Sequence, residues 1–195
     1  MTTMKGSLLS REVLPFYLSL AALAGAALLI DAVLHVLGAV WIGRYLGIFG
    51  VLLILSSFGY SLRKRKLIDV GKPVTLLRLH ERMAWAGSLL ILVHAGVHFN
   101  AILAWLAVIA MLINVGSGLT GKFLLQRASK RLEETTRHMR DEGLLANEIE
   151  ERLYWDSLTL GVVRQWRVVH YPITLAFAVL AMAHVLSIFL FWGWK

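Results

Sequence analysis

The sequence predicts an all-α integral membrane protein, in which a bundle of five transmembrane helices carries a short cytoplasmic helical hairpin. Its 195 residues are 58% hydrophobic with only three prolines, which is too apolar for a soluble domain of this length. Five apolar segments are each long enough to cross a hydrocarbon layer about 30 Å thick. The basic residues gather beside these segments, a pattern that indicates membrane topology and not nucleic-acid binding.

Most of the predicted spans are joined by short connections, and the whole chain, residues 1–195, is expected to be a single membrane domain. The spans cover residues 14–40, 46–62, 76–99, 101–125 and 168–192. The connection at Phe99 and Asn100 is so short that the third and fourth spans should form an antiparallel hairpin. In the second span, Gly47, Gly50 and Gly59 indicate close packing against a neighbouring helix.

The distribution of positive charge predicts the orientation in the membrane. If the N-terminus is inside and the C-terminus outside, 18 of the 20 lysines and arginines lie on the cytoplasmic side. The other two, Arg44 and Lys195, lie outside. In this topology the third and fifth spans both run from inside to outside, so they are parallel. We expect the membrane to be the prokaryotic inner, or cytoplasmic, membrane.

The long polar stretch, residues 126–165, predicts a cytoplasmic helical hairpin. Its first helix should end at Gly143, a natural C-cap. A capping box begun by Asn147 should open the second helix, which carries Tyr154 and Trp155. Two interpretations remain open for this hairpin, a solvated spacer and a docking surface for a cytoplasmic redox partner.

Two histidine pairs with equal spacing are the strongest functional signal. His80 and His94 lie 14 residues apart in the third span, and His170 and His184 lie 14 residues apart in the fifth. On an α-helix, 14 residues rise about 21 Å and return to within about 40° of the same face. Parallel spans then place His80 level with His170 and His94 level with His184. This arrangement predicts two haem b groups stacked across the membrane, each held by two imidazoles.

The composition narrows the metal chemistry further. The chain has no cysteine, which excludes disulfides, thiolate-ligated clusters and covalent c-type haem attachment. Neutral imidazole binds haem iron well, and histidine on both faces leaves no open coordination position, which favours electron transfer. Structural zinc fits poorly, because it requires four ligands that converge on one point.

Four other residues are candidates for the haem sites. Arg82 and Arg167 each lie within one turn of a predicted ligand and could pair with haem propionates, or they could be positive-inside anchors. Gly87, midway between His80 and His94, could leave room between the two macrocycles, or it could serve ordinary helix packing. His98 could replace His94 as the outer ligand, partner a propionate or handle protons at an outer quinone site.

A second polar pair lies in the first span, where Asp31 and His35 are one helical turn apart. It is either a buried hydrogen-bonded pair or a proton-coupled site. His138, among the charges of the hairpin, is expected to be solvated.

The residues around the four histidines resemble the di-haem b-type membrane cytochromes, especially the ferric-reductase-like transmembrane group. The similar segments are LRLHERMAWAGSLLILVHAGVHF and WRVVHYPITLAFAVLAMAHVLSIF, within residues 76–192. The resemblance implies that His80, His94, His170 and His184 occupy the ligand positions of two bis-His haems. The chain departs from that group because it ends at Lys195 without a sixth helix, a flavin domain or a nicotinamide domain. It has no Gly-rich dinucleotide fingerprint either, so it is not expected to take electrons from NADPH by itself.

The sequence therefore predicts a di-haem cytochrome b subunit that carries electrons across the membrane. It would connect a quinone/quinol pool with partner redox subunits of a larger oxidoreductase complex, and would be an electron-transfer subunit and not a complete enzyme. Two alternatives remain open at this point. One is a stand-alone quinol reductase or metal (ferric-type) reductase, and the other is a haem-free proton-coupled transporter or assembly factor.

Overall fold

A computed structural model describes residues 10–97 and 102–191, and all regular structure in these two ranges is helical. The elements are α1 (Ser10–Val36), α2 (Val40–Ser57), α3 (Gly59–Lys64), α4 (Pro73–Val97), α5 (Ile102–Leu119), a π-helical segment (Thr120–Arg127), α6 (Ala128–Asp141) and α7 (Ala146–Phe191). The all-α class predicted from the sequence is confirmed.

Four stretches of helix are long and apolar enough to cross a membrane. They are Val13–Val36, Val40–Lys64, Ile102–Asp141 and Val168–Phe191. Many large apolar side chains on these helices are exposed in the isolated chain, as lipid-facing side chains would be. Helix α4 corresponds to the predicted third span but is not among the four, because His80, Glu81, Arg82 and His94 lower its hydropathy.

The first span ends earlier than the sequence predicts, at Val36 and not at Val40. Gly38 adopts a positive φ of 66°, and the Ala39 N–H donates to the Leu34 carbonyl at 2.8 Å. These are the features of a Schellman motif, which ends a helix by turning its last carbonyls toward the following backbone. Val40 therefore begins α2 instead of extending α1.

The fourth span also differs from its prediction. The α-helical geometry of α5 ends at Leu119, and the chain continues as a π-helix to Arg127 and then directly into α6. The sequence predicts a simple α-helical span to Leu125. Hydropathy reports the length of an apolar segment, but it does not report a change from i→i+4 to i→i+5 hydrogen bonding.

The helical hairpin after α5 has the predicted turn. Gly143 has a φ of 83°, and the Leu144 N–H donates to the Met139 carbonyl at 3.1 Å, so the C-cap prediction is confirmed. The predicted capping box of Asn147 and Glu150 is wrong, because α7 begins one residue earlier, at Ala146.

At the start of α7 the Glu148 carboxylate accepts a hydrogen bond from the Leu145 N–H at 3.1 Å. An acidic side chain in the first turn also interacts favourably with the helix dipole. From there α7 runs for 46 residues, with Pro172 inside it, so the second hairpin helix and the fifth apolar segment are one continuous helix.

The contacts divide the chain into two compact units. The first consists of the described parts of Met1–Leu20 and Gly116–Pro172, and the second of the described parts of Ala21–Val115 and Ile173–Lys195. In the first unit, Leu125 and Leu160 are buried together and Leu132 packs against them.

The second unit has two buried clusters, and α4 contributes to both. The first cluster consists of Ala27 and Leu34 of α1 with Val93 of α4. The second consists of Ile91 of α4, Met111 of α5 and Phe177 of α7. Within this unit Ser88 of α4 is buried and His80 and His94 are half-buried, whereas Arg78 and Arg82 are exposed.

Candidate functional site

His94 is seated on the backbone of α2. Its Nδ1 lies 3.0 Å from the Gly43 carbonyl oxygen, and the ring is half-buried. Gly47, one turn further along α2, lies beside the ring: a β-carbon there would lie 2.8 Å from His94 Cγ and Cδ2. The close approach therefore depends on the missing side chain of Gly47.

His80 makes a similar contact near the other end of α2. Its Nδ1 lies 3.0 Å from the carbonyl oxygen of Ser57. Ser57 is buried, and its hydroxyl donates to the Ile54 carbonyl at 2.6 Å. The ring of Tyr60, on α3, lies on another side of the imidazole with ring centroids 5.9 Å apart.

His170, in the first unit, has a side-chain partner instead of a backbone carbonyl. Its Nδ1 lies 2.9 Å from the hydroxyl oxygen of Ser117, which is buried near the end of α5. The ring also lies beside Gly118, where a β-carbon would be at an ordinary contact distance of 3.9 Å from His170 Cε1. Thus a serine flanked by glycines, Gly116-Ser117-Gly118, faces this histidine.

These contacts indicate which ring nitrogen carries the proton. A carbonyl oxygen only accepts hydrogen bonds, so the Nδ1 atoms of His80 and His94 carry the proton and donate it. The Ser117 hydroxyl oxygen can accept the same hydrogen bond from His170. With the proton on Nδ1, the lone pair of a neutral imidazole lies on Nε2, the atom that would ligate a metal, and the hydrogen bond at Nδ1 fixes the ring orientation.

His184 is half-buried on α7, in the second unit with His94. Within that unit, residues near both histidines belong to one apolar cluster. Ile91, three residues before His94, is part of the cluster that contains Phe177, and Ala181, three residues before His184, packs against the same cluster.

A hydrogen bond also fixes α7 to α5 in this unit. The Thr174 hydroxyl donates to the Asn114 side-chain oxygen at 2.8 Å. Polar contacts of this kind between apolar helices hold their relative rotation, which matters for residues that must present a ligand.

The histidine geometry fits a cofactor that needs few protein ligands. Among the described residues, no group of three or more His, Cys, Asp or Glu side chains is placed to hold a metal ion. Haem iron takes four ligands from its porphyrin and only one or two from the protein. His80, His94 and His170, each with an oxygen within 3.0 Å of Nδ1, could each supply one such ligand.

Gly87 has the second of its two predicted roles, close helix packing. A β-carbon at Gly87 would lie 2.8 Å from the Gly50 carbonyl oxygen, and one at Gly50 would lie 2.9 Å from the Gly87 carbonyl oxygen. The two glycines thus allow the backbones of α4 and α2 to touch. The prediction that Gly87 leaves room between two macrocycles is corrected, since the space that a side chain would enter is filled by α2.

The other predicted cofactor contacts remain predictions. Arg82 is exposed and lies two residues from His80, on a different side of α4. The side chain of Arg167 and all of His98 lie outside the described residues.

The sequence predicts the residues that contact these histidines only in part. Gly47 and Gly50 do mediate close helix packing, as predicted, whereas nothing lies within 4 Å of a β-carbon at Gly59. Ser57 and Ser117 were missed, because a serine in an apolar helix has no signature that distinguishes a ligand-orienting partner from a local bond to its own helix.

The π-helical segment that follows Ser117 contains a cationic cluster that the sequence does not predict. The Arg127 guanidinium lies 4.6 Å from the centroid of the buried Phe123 ring, and Lys122 Nζ lies 5.6 Å from it. Such cation–π contacts hold both basic side chains in place. They position positive charge in the first unit, within a few residues of the partner of His170.

Comparison with family models, with curated protein sequences and with solved structures finds no match for this chain.

Proposed function

We propose that this chain is a di-haem b-type cytochrome subunit that carries electrons across a membrane. Its donor or acceptor would be a quinone/quinol pool, with partner redox subunits on the other side of the transfer. The observation that supports this most strongly is the hydrogen-bonding pattern common to His80, His94 and His170. In each of them Nδ1 lies within hydrogen-bond distance of an oxygen atom. A histidine that ligates haem iron through Nε2 usually donates its Nδ1–H to such an oxygen, which orients the ring.

The proposed ligand pairs are His80 with His170 and His94 with His184. The pairing depends on the equal spacing of 14 residues in the sequence. When bound, haem supplies reversible one-electron transfer, while the protein holds the iron ligands, orients them and excludes water.

The proposal includes α4 as a fifth membrane span. Its 25 residues would extend about 37 Å, enough to cross the hydrocarbon layer. Packing on two sides in the second unit compensates for its lower hydropathy, and both of its histidines contact backbone oxygens of α2. The proposed topology, with the N-terminus inside and the C-terminus outside, follows from the positive charges.

The decisive experiment is the haem content of protein purified from membranes. A pyridine haemochrome assay should give about two b-type haems per chain, with a low-spin spectrum typical of two imidazole ligands. His94→Ala should lower the content to about one haem, as expected for the loss of one of two bis-His sites. The control is His138→Ala, because His138 lies on α6 in an exposed pair with Glu142.

Protein that is folded and purified with haem available but binds none would contradict the proposal. That result would favour a proton-coupled transporter, in which the membrane histidines carry protons. Haem bound with unchanged content in all four single His→Ala variants would contradict the ligand assignment.

A further inference from the structure

Two cations contact one buried aromatic ring in the π-helical segment Thr120–Arg127. The Arg127 guanidinium lies 4.6 Å from the centroid of the Phe123 ring, and Lys122 Nζ lies 5.6 Å from the same centroid. Phe123 is 7% exposed, whereas Lys122 is half-buried and Arg127 is exposed. The ring is therefore held in the packing of the first unit, while the charged groups beside it lie closer to the surface.

The π-helical geometry brings these two cations together. Lys122 and Arg127 are five residues apart, and on an α-helix residues with this separation point about 140° away from each other. In a π-helix, the i→i+5 hydrogen bonds place such residues close to one face instead. π-helical turns are rare and are often found at functional sites. The change of helix type after Leu119 thus has a specific result, which is a pair of positive charges held beside one ring.

The pair lies where the apolar part of this helical run ends. No charged residue occurs between Arg82 and Lys122, so Lys122 is the first charge after the start of α5. The 18 residues of α5 rise about 27 Å, close to the thickness of a hydrocarbon layer of about 30 Å. A membrane that is crossed by α5 therefore has its lipid headgroups at the level of the π-helical segment.

The charges at this level favour an anionic ligand with a phosphate group. The nearest acidic residue along the chain is Glu133, and the next one, Glu134, pairs with Lys130 at 3.8 Å. The π-helical segment is thus locally positive. A guanidinium can bind phosphate through two parallel N–H groups, and an ammonium adds a compact point charge. Phospholipids with a net negative charge present such a phosphate at the headgroup level, and basic sites on membrane helices bind them.

We infer that Lys122 and Arg127 bind the phosphate of an anionic phospholipid, and that Phe123 holds the two side chains in position for it. The acyl chains of the lipid stay in the hydrocarbon layer. Phe123 is a positioning residue, because it acts through the two cations. Such a site requires that α5 crosses a membrane, and it is independent of haem.

The test is native mass spectrometry of the purified full chain in detergent, titrated with dioleoyl-phosphatidylglycerol or with dioleoyl-phosphatidylcholine. The parent protein should bind one phosphatidylglycerol molecule in preference to phosphatidylcholine. Lys122→Gln and Arg127→Gln should each weaken phosphatidylglycerol binding about fivefold, the usual contribution of one cation near anionic lipid. The double variant should weaken it about 25-fold if the two contributions add.

Two further variants separate a built site from a general effect of charge. Lys130→Gln combined with Arg140→Gln removes the same amount of charge from α6, where both side chains are exposed, and it should bind phosphatidylglycerol like the parent. Phe123→Leu keeps every charge but removes the ring, so it should weaken binding several-fold because the cations are no longer held. Gel filtration checks that each variant is folded, and the charge variants decide the outcome if Phe123→Leu is not.

Equal binding of the two lipids by the parent would overturn the inference, and so would an equal loss of affinity in the α6 control. Normal affinity in folded Phe123→Leu would overturn the positioning role of the ring. If the Lys122 and Arg127 double variant binds phosphatidylglycerol normally but shifts a haem reduction potential, the cations serve the haem and not a lipid. If the chain binds no haem but loses phosphatidylglycerol affinity only in the Lys122, Arg127 and Phe123 variants, the lipid site stands and the proposed function fails.

Discussion

Gly47 of α2 lies against the imidazole of His94 on α4, so closely that a β-carbon at position 47 would lie 2.8 Å from two ring atoms. The ring nitrogen on the same side reaches the Gly43 carbonyl at 3.0 Å. One turn of α2 thus provides both the space for the histidine and the acceptor that orients it. This relationship yields the sharpest test of the histidine assignment.

Gly47→Ala should displace the His94 ring and reduce haem content from about two per chain toward about one, since the ligand can no longer reach its position. The measurement is a pyridine haemochrome assay on purified protein. Gly59→Ala is the matched control, because a β-carbon at Gly59 has nothing within 4 Å. Normal haem content in Gly47→Ala would show that the His94 ring does not need its place on α2.

His98→Ala should retain both haems, whereas His94→Ala should lose one. The physical reason is that His94 has an oriented Nδ1 and the spacing that matches His170 and His184. Optical spectra of the two variants decide between them. The reverse pattern would move the outer ligand by about one helical turn, roughly 6 Å, toward the end of α4.

Ser117→Ala should raise the reduction potential of the haem held by His170. Without the hydroxyl acceptor the imidazole is a weaker electron donor, and the oxidised iron is less stabilised. The loss of about 1 kcal/mol corresponds to an increase of up to about 40 mV for a one-electron couple. A potentiometric titration measures the shift, with Ser56→Ala as the control because Ser56 bonds only within its own helix. An unchanged pair of potentials would remove Ser117 from the site.

Gly87→Ala should lower the stability of the protein more than it alters haem binding. The added methyl group meets the Gly50 carbonyl at 2.8 Å, and such overpacking typically costs about 1–3 kcal/mol. Thermal unfolding of the purified protein tests this, against Gly25→Ala in open space. A variant with normal stability but altered haem spectra would contradict this packing role and indicate that Gly87 lines a haem site.

Trp155→Ala should leave the haem spectrum intact while it weakens assembly with partner subunits. Trp155 is 74% exposed on the polar part of α7, next to Tyr154, and large exposed aromatic residues are common in binding surfaces. Co-purification from native membranes measures assembly, with Ser157→Ala as the control on the same helix. Unchanged co-purification would place the docking surface elsewhere on the chain.

Much of the fold could be predicted because helix-forming signals are local. The apolar segments, the end of α6 at Gly143 and the helical content all depend on residues that are close together in sequence. The errors arose where a local signal had two interpretations. Gly38 could have continued or ended α1, and only its positive φ shows that it ends the helix.

The sequence by itself determined the helical membrane class and the two histidine pairs, since composition and periodicity are properties of the chain. The packing of the helices determines what those histidines contact and which glycines allow two helices to approach closely. Three features depend on how one helix is rotated against another. They are the contacts of His80 and His94 with α2, the contact of Gly87 with Gly50, and the open space around Gly59. That rotation results from side-chain packing between residues far apart in sequence, so no single segment encodes it.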